Sequence, residues 1–203
     1  MADPDVTVRR SARARHPRIA VAPFRGVELV VPPRTTDRQI RRLLDRNREW
    51  IAERAARASA AERAGLGLQR PGVAWVHGEA IPTTLSAERL ERWYRREARL
   101  RISDAVHTHA GRLDLDGWRR IAIRDQRTRW GSCSTSGTLS FSWRLMMAPL
   151  AVLDYVVVHE LCHLRRLDHS PHFWRLVEGA LPGWRDGCDW LRRHGHELAA
   201  YTP

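Results

Sequence analysis

Apolar and polar residues alternate along the first thirty positions. Val6 and Val8, then Ile19 and Val21, then Val27, Leu29 and Val31 recur at every second place, which predicts short half-buried strands. Pro23 to Gly26 reads as a turn between two of them. Thr36 followed by Gln39 has the pattern of a capping box. Beyond it Ile40, Leu43, Leu44, Ile51 and Ala55 form one stripe, so a single long helix is expected to about Arg63. Gly65 to Gly72 reads as a break, and short strands over 73–76 and 80–85 flank a His77-Gly78-Glu79 turn. Ser86 opens a third long helical segment, to about Ala110.

The second half changes character. Arg120 to Arg124 alternates as a short strand, and Leu139, Phe141 and Trp143 alternate with Thr138, Ser140 and Ser142. The latter strand is either a sheet edge that could hold an extended peptide or a core strand with one polar face. After Pro149, which suits a helix start, positions 151–167 form an uninterrupted apolar stretch. Ser170-Pro171 reads as the N-cap and first position of a helix over 172–181, and 183–200 as a final covering helix.

Chemistry enters in the apolar stretch, where His159-Glu160-Leu161-Cys162-His163 is an H-E-x-x-H pattern. Residues four apart share a helix face, so both imidazoles can reach one Zn²⁺, with Glu160 beside them to take a proton from metal-activated water. A buried helix has little reason to carry unpaired polar groups, which points to a bound partner. A catalytic zinc usually has a third protein ligand. His169 is the first candidate, six residues on, and His172 and Glu178 compete with it.

A second polar constellation lies upstream, where Arg124, Arg127 and Arg129 precede Trp130-Gly131-Ser132-Cys133-Ser134. Gly131 permits close backbone approach, and Arg129 is the candidate to stabilise negative charge on a substrate oxygen. The competing reading pairs Arg129 with a carboxylate and packs Trp130 in the core. Cys133 and Cys162 read as packed side chains, with a thiolate nucleophile or a metal ligand at Cys133 as the alternative. His194 and His196 read as solvated, while His16, His77, His107 and His109 carry no ligand spacing.

The run from His159 to Trp174, together with Arg127 to Ser134, Leu145, Ala148-Pro149 and Asp154 to Val157, resembles the YgjP-like metal-dependent hydrolases. These are relatives of the WLM and SprT-like metallopeptidases. The resemblance implies His159, His163 and His169 as ligands and Glu160 as general base. It also implies an α+β, zincin-like core: the H-E-x-x-H helix packed on a small antiparallel sheet. Residues 1–85 are expected to form a β-rich region with one long helix, and 86–203 the catalytic region.

Composition narrows the partners. The chain has 203 residues and a net charge of +12, and all 35 of its basic residues are Arg. Absence of Lys fits a GC-rich coding sequence, and Asp37/Arg41, Glu53/Arg57, Glu88/Arg92 and Glu91/Arg95 have helix-pair spacing. The remaining surplus favours non-specific polyanion contact, yet no nucleic-acid reader motif is present. Three Cys argue against a disulfide framework, and no run suits a membrane span or signal peptide, so a cytoplasmic protein is expected. The resulting expectation is a zinc peptidase acting on peptides or proteins. Two alternatives remain: a nucleotide phosphoanhydride hydrolase using Arg124, Arg127 and Arg129 as a phosphate clamp, and a DNA-associated protein with a zinc site.

Overall fold

The structure, a computed structural model, describes residues 6–22, 26–63, 68 and 70–203, the side chains at 22 and 60–63 excepted. The turn expected over 23–26 and the break expected over 65–72 fall largely outside these residues. The chain divides into two compact units, residues 1–66 and 67–203. Among the described residues no helix is long and apolar enough to cross a membrane.

The first unit realises the alternating strands as β1 (Val6–Arg10), β2 (Arg18–Ala22) and β3 (Gly26–Val31). β3 is central, parallel to β1 and antiparallel to β2. Leu29 and Val31 point from β3 onto Ile40, with Val6, Ile19, Leu43 and Leu44 closing the cluster. Thr36 caps α1 (Asp37–Arg46) with the expected box to Gln39. The single long helix is in fact two, α1 and α2 (Arg48–Arg63). Asn47 separates them: its side-chain amide donates to the Leu43 carbonyl at 2.7 Å, competing with the helical ladder.

The second unit opens with the hairpin β4 (Val73–Val76) and β5 (Glu79–Pro82). Its turn residues His77 and Gly78 both have positive φ, 53° and 89°, as a two-residue hairpin turn of this hand requires. Next comes α3 (Ala87–Arg112), whose buried stripe Leu90, Tyr94, Ala98, Ile102 and Val106 recurs every fourth residue.

The sheet of this unit comprises β6 (Arg120–Arg124), β7 (Gly131–Cys133) and β8 (Thr138–Ser142) in the order β6-β8-β7. It is mixed rather than wholly antiparallel. The chain crosses from β6 past β8 to make β7, so β8 returns antiparallel to β7 and parallel to β6. β8 is therefore the central strand, its apolar positions filled by the fully buried Leu139 and Phe141, and β6 and β7 are the two edge strands. A 3-10 turn (Trp143–Met147) leads into α4 (Leu150–Cys162), which is followed by α5 (Pro171–Ala180) and α6 (Trp184–Ala200).

α4 packs against α3, α5, α6 and β7. It is apolar nearly all round, with Val152, Leu153, Val156, Val157, Val158 and Leu161 buried, as suits a helix enclosed on every side. It ends at Cys162, sooner than the apolar stretch suggests, with His163 as its C-cap.

Candidate metal centre

His159 and His163 lie one turn apart on α4, and the turn after the helix brings His169 back to them. The Nε2 atom of His159 is 3.2 Å from that of His163 and 3.0 Å from that of His169. Two nitrogens bound at about 2.0–2.1 Å to one tetrahedral ion would lie about 3.3 Å apart, so this spacing fits a shared metal. Among the described residues these three form the group able to hold an ion.

Several contacts hold the imidazoles in ligand form. Nδ1 of His163 faces the Arg166 carbonyl at 2.9 Å, so its proton sits there and the Nε2 lone pair points inward. Burial, with His163 and His169 beside it, lowers the pKa of His159 to about 3 and keeps it neutral. The Arg165 guanidinium ties the turn to the end of α3 through the Leu113 and Asp114 carbonyls, at 2.9 and 3.2 Å. Asp168 accepts from the Ser170 hydroxyl at 2.7 Å, fixing the entry to α5 directly after His169.

Phe173, on α5, organises the trio. Its ring stacks on His163 with centroids 4.5 Å apart and meets His159 and His169 edge-on at 4.9 Å each. Trp174 flanks His159 and His169 and stacks on Trp184 of α6 at 4.4 Å. In the sequence Phe173 is legible only as part of a motif. Its signal is the fixed interval from His169, which places an apolar ring on the first turn of α5.

The two competing residues are engaged elsewhere. His172 meets Arg175 at 2.5 Å, and Glu178 accepts from Trp184 Nε1 and Arg185 at 2.5 and 2.7 Å. His194, expected in solvent, is half-buried beside Glu197 at 3.2 Å. His77 belongs to the β4–β5 turn, where its backbone N–H donates to the Met146 carbonyl.

Glu160 is 6 % exposed. Burial raises its pKa to about 7, against the opposing charge of Arg129 and a hydrogen bond from the Cys133 backbone N–H. That hydrogen bond follows from the register of β7. Ser142 N–H donates to Trp130 O and Ser134 N–H to Thr138 O, each at 2.9 Å, so even-numbered residues bond β8. The backbone of Gly131 and Cys133 therefore faces outward, towards α4. The approach demands glycine at 131: a Cβ there would lie 2.5 Å from Glu160 Cγ and 2.6 Å from Oε1.

The arginines of the upstream loop divide. Arg129 lines a cavity with Glu160 and His159, whereas Arg127 lies in the field of Asp125 and Arg144. Arg144 is 1 % exposed; it pairs with Asp125, stacks over Trp143 at 4.2 Å and donates to the Tyr201 carbonyl at 3.0 and 3.2 Å. It anchors both the start of the loop and the end of the chain, a buried role that no pattern in the sequence announces. Trp130 rests against Gly195 of α6. Cys133 is half-buried with its Sγ directed at the Ser134 carbonyl, and Cys162 is buried, its thiol pushed up to about 11 by desolvation.

The model of the YgjP-like metallopeptidase domain matches residues 76–194, more than half of the chain. Among solved structures, the metallopeptidase zymogen of Pyrococcus abyssi abylysin is 24% identical over 44% of this chain and 90% of that one, with a TM-score of 0.41. The metallopeptidase zymogen of Methanocaldococcus jannaschii jannalysin is 21% identical over 45% and 89%, with a TM-score of 0.39. No curated protein matches the chain.

Proposed function

The chain belongs to the YgjP-like metallopeptidase family, and on that premise we propose that it is a zinc-dependent peptidase. His159, His163 and His169 hold the metal in this reading. Three imidazole nitrogens suit zinc better than magnesium or manganese, which prefer oxygen ligands. When bound, zinc supplies a Lewis acid that lowers the pKa of a water and polarises a carbonyl oxygen.

The chain's own groups carry the rest. Glu160, held against β7, takes a proton from the water whose oxygen bonds to the carbonyl carbon and delivers it to the amine nitrogen as the C–N bond breaks. Arg129 donates to the negative charge that develops on the substrate carbonyl oxygen. The Cys133 N–H is taken by Glu160, which leaves the outward-facing backbone of Gly131 as the point of this edge strand at which an extended peptide can pair. The observation that carries the reading is the combination of three convergent Nε2 atoms with a buried carboxylate pressed against a glycine of that edge.

Zinc-loaded wild-type protein and its Glu160→Gln variant should be compared on a casein-type protein and on a panel of nucleoside triphosphates. The proposal expects peptide cleavage that Glu160→Gln abolishes, with zinc retained. Phosphate release that needs Glu160, with the protein substrate left intact, would replace it with phosphoanhydride hydrolysis.

A further inference from the structure

A cavity of about 230 Å³ opens beside His159 and Glu160. Its lining includes His159, Glu160 and Arg129, assigned above to the reaction, and its other walls come from three elements. The loop entering β7 gives the Trp130 ring, α4 gives Tyr155 and Val156, and α6 gives Leu191.

The contribution of α6 depends on its glycines. Gly187 and Gly195 are buried within this helix, where glycine costs about 1 kcal/mol relative to alanine. A Cβ at Gly187 would lie 2.8 Å from Cβ of Tyr155, and one at Gly195 would lie 3.0 Å from the Trp130 ring. The two glycines thus let α6 lie directly on both aromatic walls. Leu191, four residues from each, falls on the same stripe and faces the cavity between them.

The size and lining specify an occupant. Pockets for drug-sized molecules run to about 300–1,000 Å³, so this space suits one side chain rather than a whole nucleotide. Trp130, Tyr155, Val156 and Leu191 make the lining away from the reacting groups largely aliphatic and aromatic. Glu160 in the lining disfavours an acidic side chain, and Arg129 disfavours a basic one.

We propose that this cavity is the specificity pocket for an uncharged apolar side chain next to the scissile peptide bond, with Leu191 setting its depth. The proposal rests on the peptidase reading above.

Cleavage of a peptide library by the zinc-loaded full chain, read by mass spectrometry, tests it in wild type, Leu191→Ala and Leu191→Phe. Zinc content and a thermal melt establish that each variant is folded. Wild type should enrich Leu, Met or Phe at one flanking position and deplete Lys, Arg, Asp and Glu there. Leu191→Ala should shift that position towards larger side chains, and Leu191→Phe towards Ala and Val. The ratio of kcat/KM for large over small residues should change by about tenfold in each direction. Preferences at the other flanking position should stay put. Cleavage with the same preferences in all three proteins would overturn the pocket assignment while leaving the peptidase reading intact. Zinc-loaded wild type that cleaves no library peptide would overturn both.

Discussion

Gly131→Ala probes the contact between β7 and the H-E-x-x-H helix with a single methyl group. The new Cβ would sit 2.5, 2.6 and 2.8 Å from Cγ, Oε1 and Cδ of Glu160. Nonbonded carbons prefer about 3.5–4.0 Å, so a gap of about 1 Å has to open. β7 is pinned to β8 by its ladder, and Glu160 is buried with its carboxylate on the Cys133 N–H, so neither yields freely. Overpacking of this kind costs about 1–3 kcal/mol, and each kcal/mol lowers the melting temperature by roughly 2–4 °C in a domain of this size. The chemical effect is larger. Displacing a reacting group by about 1 Å costs about 100-fold in rate, within the range of about 10²–10⁴ that a general base contributes. The assay is kcat and KM on a fluorogenic peptide, with zinc content measured on the same sample. We expect kcat to fall about 100-fold with zinc retained, because all three imidazoles come from α4 and the turn after it. In a Glu160→Gln background, adding Gly131→Ala should cost little more, since both changes act on one group. A wild-type kcat in folded, zinc-loaded Gly131→Ala would refute the reasoning.

Other consequences can be checked separately. Removing the Arg129 charge withdraws an influence that lowers the Glu160 pKa, so Arg129→Gln should move the acidic limb of kcat/KM to higher pH; an unmoved limb with an unchanged rate would remove Arg129 from the site. Phe173→Leu should weaken zinc affinity by about tenfold in a chelator competition, because the ring that meets all three imidazoles is lost. Cys133→Ser should leave zinc content at the wild-type level. Arg144→Met should lower stability in urea by about 2–3 kcal/mol, since Asp125 can turn to water while the Tyr201 carbonyl loses two hydrogen bonds.

The parts of this fold that the sequence made legible are the local ones. The spacing of His159 and His163 needs only the helix period, and the entry of His169 needs only the Ser170-Pro171 helix start that follows it. The alternation of β1 to β3 and the capping box at Thr36 are equally local. What stayed hidden depends on contacts across the chain. β7 is three residues of Gly, Ser and Cys with no apolar alternation, so it reads as loop until β8 pairs with it and makes it an edge strand. The strand with the clearer pattern, β8, is central for the same reason that its pattern is clear: Leu139 and Phe141 are fully buried. Arg144 looks like one more solvated cation in the sequence, and only the fold supplies the Asp125 carboxylate and Tyr201 carbonyl that bury it. The break at Asn47 is carried by one side-chain amide, too small a signal to interrupt a continuous stripe.

The proposed peptidase depends on a zinc held by His159, His163 and His169. X-ray absorption at the zinc edge, on protein carrying one equivalent of metal, tests it most directly. The expected spectrum has nitrogen or oxygen neighbours at about 2.0–2.1 Å and no sulfur shell, and His169→Ala should lose tight binding. A sulfur neighbour at about 2.3 Å, or an unchanged spectrum and affinity in His169→Ala, would contradict it.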